Sequence, residues 1–169
     1  MAEHLEHNAE AVLAGSQQVC EQVRQLPDLD KTIAKRVRSV TPEGDEKSVV
    51  EHAGITVEIL KLSHGTGRFA SIWNLGFVVH LGGKRILHIG DGELKPMTRG
   101  SLELHARDAD VACIPYWLLY SESGRTFINE KLRPRQIVAI HVPPKEKQEA
   151  TRKIHEYLPD AIALTQPGE

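Results

Sequence analysis

Apolar and polar positions follow several distinct rhythms along the chain, and the places where the rhythm changes mark the elements. Residues 11–14 (AVLA) are a short apolar run closed by Gly15, which predicts a buried strand. Ser16 is placed to cap a helix reaching about Leu26. Val19, Val23 and Leu26 recur on it at helical spacing, Cys20 shares their apolar side, and Pro27 stops it. The stretch 33–53 keeps no clean period, and TPEGDE (41–46) reads as a turn between two short strands. Residues 54–62 (GITVEILKL) alternate as a strand, with Ile55, Val57 and Ile59 on one face. Residues 72–81 (IWNLGFVVHL) and 84–89 (KRILHI) predict two more strands. Gly82-Gly83 joins them, since both residues can take the positive φ that a two-residue hairpin needs.

Beyond this hairpin the spacing lengthens. Residues 97–107 predict a helix, 110–114 (DVACI) a buried strand stopped by Pro115, and 121–132 a helix over part of their length. Residues 136–141 (QIVAIH) predict another buried strand. Pro143-Pro144 then open a helix to Leu158, with Ala150, Ile154 and Tyr157 on one stripe and Pro159 as the stop. Residues 161–164 (AIAL) make a last strand. A hairpin-rich middle followed by strand–helix–strand–helix–strand predicts one layered α/β domain over 1–169, with a partly antiparallel sheet.

Composition narrows the function classes. A chain of 169 residues, 40% hydrophobic and 26% charged, can bury a core of its own. A net charge of −2 gives no basic footprint for nucleic acid and no polybasic membrane patch. The apolar runs are too short to span a bilayer, and MAEHLEHNAEAV at the start has none of the apolar core of a signal peptide, so a cytoplasmic protein is expected. Cys20 and Cys113 read as reduced core residues. Of nine histidines, His4, His7, His52, His105 and His155 fall on polar faces or in exposed segments.

Three of the predicted strands finish alike. EILKLS runs to His64, RILHIG to Asp91 and QIVAI to His141. Ligands of layered α/β proteins gather beyond strand ends. Two imidazoles and a carboxylate meeting there suit a divalent transition metal, zinc first and manganese or iron as alternatives. Each residue also has a plain structural role open to it. His64 lies in a HGTG turn, Asp91 in a GDG turn, and His141 just before a helix start. His88 reads as a hydrogen-bonded structural histidine facing the sheet interior or the helix layer. Tyr116 and Trp117, after Pro115, are placed to wall a substrate pocket, and Ser71 and Asn74 to cap a strand.

NLGFVVHLGGKRILHIGDGE (74–93) resembles the metallo-β-lactamase superfamily, in which a hairpin runs into an "ILHTGD"-like segment. DVACIPYW (110–117) resembles the family's next core strand, and LRPRQIVAIHVPP (132–144) its later histidine segment; LSH (62–64) resembles the strand end that supplies another histidine. The resemblance implies an αββα sandwich with mixed sheets flanked by helices. It implies hydrolysis of an ester, amide or phosphoester in a small-molecule substrate by metal-activated water. Asp91 would bridge two ions, with His64 on the first and His141 on the second.

The sequence departs from that family in one motif. HxHxDH, which supplies the other half of the ligands, does not occur; HLEH (4–7) has the wrong spacing. The expectation is therefore an incomplete sandwich, the C-terminal two-thirds of the fold ending in PGE (167–169). Two ligands per ion imply weak or absent zinc occupancy and an impaired or inactive hydrolase. An uncovered sheet implies a homo-oligomer. Two other readings stand beside this one. ILHIGDGEL (86–94) also resembles the glycine-rich motif of S-adenosylmethionine-dependent methyltransferases, with Leu94 in place of the third glycine. The domain can also be a non-catalytic binding or oligomerisation module.

Overall fold

The computed structural model describes residues 2–27, 29–44 and 46–165; the His4 side chain and the terminal PGE lie outside the described residues. Helix α1 (Ala2–His7) precedes strand β1 (Leu13–Gly15) and helix α2 (Gln17–Arg24). Ser16 caps α2 as its sequence position predicts, its side chain accepting from the Val19 N–H. Helix α3 (Lys31–Lys35) follows, capped by Asp30, and leads to β2 (Val37–Ser39), which pairs parallel with β1. The α2 stripe differs from expectation. Cys20 and Val23 are buried against Val37, whereas Val19 and Leu26 stay exposed. The face that meets β2 is centred on Cys20 and Val23, three residues apart, so Val19 and Leu26 fall at its margins.

The remaining strands form one mixed sheet. β3 (Lys47–His52), β4 (Ile55–Ser63), β5 (Trp73–Leu81) and β6 (Lys84–His88) are consecutive antiparallel neighbours. β7 (Val111–Pro115), β8 (Gln136–Ile140) and β9 (Ile162–Ala163) then continue the sheet parallel to β6. Gly82 and Gly83 turn the β5–β6 hairpin at φ +57° and +74°, setting Leu81 opposite Lys84.

Pairing fixes which side chains share a face. Leu60, Leu62, Val78, Leu87, Ala112, Ile114 and Ala139 are buried on one side, packed with Leu102, Leu119 and Ile154 from the helix layer. That layer consists of α4 (Pro96–His105), α5 (Tyr116–Tyr120), α6 (Glu122–Thr126) and α7 (Lys147–Tyr157). Each leucine taken fully from water here contributes roughly 1.5–3 kcal/mol. The opposite face carries Val57, Val79, Ile86, Phe77 and Val138, all only half-buried. At its β3–β4 corner, Val12, Ala14, Val50, Val57, Ile59 and Phe77 line an apolar depression of about 210 Å³.

Two helix starts fall elsewhere than the sequence pattern puts them. Pro115 ends β7 and α5, which the pattern does not predict, begins at once at Tyr116; the helix expected over part of 121–132 is α6, continued by a π-helical turn, Phe127–Leu132. Pro143 and Pro144 lie before α7 rather than at its first turn. The Pro143 carbonyl accepts the Glu146 N–H in a tight turn, and the helix starts at Lys147.

Candidate functional site

β4 and β6 are each antiparallel to β5, and β8 is parallel to β6 through β7, so β4, β6 and β8 run the same way. Their C-terminal ends therefore share one edge of the sheet. His64, Asp91 and His141 follow these ends and meet there. His64 Nε2 lies 3.7 Å from Asp91 Oδ2, and His141 Nε2 lies 2.8 Å from Asp91 Oδ1. Each carboxylate oxygen thus has its own imidazole.

Three local devices hold Asp91 and His141 in place. Asn74, at the start of β5, accepts the Asp91 N–H (3.3 Å) and donates to the Ile89 carbonyl (3.0 Å), clamping the loop on both sides of Gly90. Gly90 sits at φ +56°, and a Cβ there would stand 2.6 Å from Asn74 Oδ1, so the clamp and the turn both require glycine. His141 is itself at φ +61°, in the left-handed region, which redirects the chain as it leaves β8 above the buried Val142.

Around the two imidazoles stand aromatic rings. Trp117 lies 5.5 Å from the His141 ring, and Phe69 lies 5.4 Å from the His64 ring. Trp117 also walls a cleft of about 320 Å³ with Glu93, Leu94, Lys95, Arg99 and Ser123. Tyr116 is not among the residues lining that cleft; it packs edge-on against Trp117 and Tyr120. His88 is exposed on the open sheet face, a correction to the buried position its sequence context suggests. β6 alternates, and Leu87 takes the core side. His88 Nδ1 accepts the Gly90 N–H at 3.0 Å. Desolvation pushes its pKa down, the charge of His141 acts in the same direction, and Asp91 opposes both. Asn74 is the residue whose role sequence reasoning missed, and Ser71 contributes only its carbonyl, to Gln18.

The donor set can be tested against a metal ion. Two ligand atoms on a tetrahedral zinc, each bound at about 2.0–2.2 Å, stand about 3.3–3.6 Å apart. The separations of 2.8 and 3.7 Å bracket that range. The Nδ1 of His64 is buried with no hydrogen-bond partner, an orphan polar atom at the site. Among the described residues no three His, Cys, Asp or Glu side chains form a ready cage, because the two imidazoles face different oxygens of one carboxylate. The arrangement is one carboxylate with a single imidazole at each oxygen.

The fold is of the metallo-β-lactamase kind. The family model described as "Beta-lactamase superfamily domain" matches residues 1–163, and the chain belongs to that family. Among solved structures, the metallo-beta-lactamase fold protein YhfI from Bacillus subtilis is similar in fold, with a TM-score of 0.54 at 12% identity over 88% of this chain. The match takes in 59% of that chain, so this protein spans under two-thirds of its structural relative. No curated protein matches the sequence. Family membership separates this reading from the methyltransferase one. Topology alone does not, since β6 is both a hairpin partner of β5 and the first strand of a β6–α4–β7 unit. No helix among the described residues is long and apolar enough to cross a membrane.

Proposed function

We propose that the protein is a metal-dependent hydrolase of esters, amides or phosphoesters whose cation, zinc first, is held by Asp91 with His64 and His141. The observation that carries this reading is the placement of one imidazole at each oxygen of Asp91 on a single sheet edge. A divalent ion there would polarise the scissile bond and make water reactive near neutral pH. The chain's own residues contribute the rest. Asn74 and Gly90 hold the Asp91 loop, His141 is aimed by its backbone, and Trp117 and Phe69 shield the imidazoles on either side. Three protein donors shared between two positions support weak binding and slow turnover.

Equilibrium dialysis against zinc, followed by metal analysis, tests the reading. Wild-type protein is expected to retain zinc weakly. Asp91→Asn is expected to lose it, and His141→Ala to weaken it by at least the roughly tenfold that loss of a mere outer-shell partner costs. Hydrolysis of ester, lactam and phosphodiester substrates should track the retained metal. Equal zinc retention in Asp91→Asn and wild type, or hydrolysis that survives in the metal-stripped Asp91→Asn protein, would overturn the assignment.

A further inference from the structure

The cleft beside the strand ends has an unbalanced charge. Arg99, on α4, is held in place at two points: Nε donates to the Leu94 carbonyl at 2.8 Å, and the guanidinium lies 5.1 Å from the centre of the Phe127 ring. Among the described residues no carboxylate pairs with it. Glu93, the one acid lining the cleft, is 3.9 Å from Lys95, whose ammonium also donates to the Gly65 carbonyl at 2.7 Å. The acid therefore offsets the lysine, and the arginine's charge is left over. Ser121 is occupied, bonding the Gly124 N–H and the Leu118 carbonyl, whereas Trp117 offers an apolar wall.

The cleft adjoins the candidate metal residues on two sides. Its wall residue Trp117 lies tilted against the His141 ring, and Glu93 donates its N–H to the Ser63 carbonyl, next to His64. A fixed, partly buried guanidinium with free N–H donors is suited to the planar, two-oxygen recognition of a phosphate or carboxylate. We infer that this cleft binds an oxyanion carried by the substrate next to an apolar or ring portion, with Arg99 as the group that reads the charge. The placement of that oxyanion beside the scissile bond rests on the proposed metal site; the binding itself does not.

Fluorescence in metal-stripped protein tests the inference independently of the metal. The chain has two tryptophans, and Trp73→Phe leaves Trp117 as the only reporter. In that background, phenyl phosphate or benzoate is expected to change the Trp117 emission saturably, and benzyl alcohol to leave it unchanged. The tighter of the two anions names the group. Arg99→Gln should weaken anion binding roughly tenfold or more, as loss of a charged hydrogen-bonding partner does. Arg99→Lys, which keeps the charge and loses the fork, should fall between the two, guarding against a packing defect at Phe127. Arg152→Gln, on α7 and paired with Glu156, should bind as the parent does. The inference is overturned if neither anion saturates the signal, if the alcohol binds equally well, or if Arg99→Gln binds like the parent. Loss of zinc binding with anion binding intact would count against the metal reading alone.

Discussion

His141 occupies a backbone region that costs a non-glycine residue on the order of 1–3 kcal/mol, and residues held there cluster at functional sites. The side chain is offset by its approach to Asp91 and by the Trp117 ring beside it. A second polar cluster, at the far end of β4, is structural. Glu58 lies 2.8 Å from Lys47 and 3.2 Å from His80, with its side chain only 14% exposed. Burial acts to raise the Glu58 carboxyl, but the hydrogen bonds and charges of Lys47 and then His80 outweigh it and hold the carboxyl below its ordinary range. A group depressed on folding stabilises above its unfolded pKa and loses that contribution as pH falls through the folded value. Urea titrations from pH 6 downward should therefore show stability falling below about pH 4.3, the ordinary Glu value. The fall should be shallower in Glu58→Gln; parallel curves for the two proteins would refute the coupling. At this scale His64, Asp91 and His141 were readable from the sequence because each ends an apolar run. Asn74 was readable in principle. The Gly82-Gly83 turn sets Leu81 opposite Lys84 and Phe77 opposite His88, and the same register carried three residues further brings Asn74 opposite Asp91. Alternation along β5 shows its faces but not its partners.

Elements long enough to show a period were legible, and so were the short strands β1 and β9 and the short helix α6; α3 and α5 were not. β4 through β8 and α4 lie within a residue or two of where alternation and helical spacing put them. Helices α3 and α5 span five residues each, too few for a period to show. The π-helical turn has no recognisable sequence pattern. The α5–α6 junction is instead specified by packing. A Cβ on the buried Gly124 would stand 2.1 Å from the Leu118 carbonyl oxygen, a backbone atom that cannot move aside without shifting α5. Gly124→Ala should lower unfolding free energy by about 1–3 kcal/mol or more, as overpacking does. Gly100→Ala, in α4 with nothing near its Cβ position, should be neutral or stabilising by up to about 1 kcal/mol. Chemical denaturation of the pair separates a packing requirement from the general helix preference for alanine. Equal effects would show that the junction does not depend on that glycine.

The whole molecule places its chemistry where the sheet changes character. β6 is the last antiparallel strand and the first parallel one, and the crevice outside the carboxyl ends of the strands is where open α/β sheets gather ligands. The antiparallel half brings His64 and Asn74 to that edge, the switch strand brings Asp91, and the parallel half brings His141. No local segment holds the set; the outermost positions are separated by 141 − 64 = 77 residues, so the unfolded chain offers the three donors no common point. A cation held by them binds the folded state alone and must stabilise it in proportion to RT ln(1 + [L]/Kd), about 0.4 kcal/mol at a free concentration equal to Kd and about 2.7 kcal/mol at one hundred times Kd. Thermal unfolding followed across a zinc series should give a midpoint that climbs with the logarithm of concentration once Kd is passed. The climb should vanish in Asp91→Asn. Calcium, which favours oxygen cages over imidazole, should not produce it. A midpoint that rises equally in wild type and Asp91→Asn would place the ion on scattered surface groups, and one that does not rise at all would mean that the meeting of these three strand ends serves the fold and not a metal.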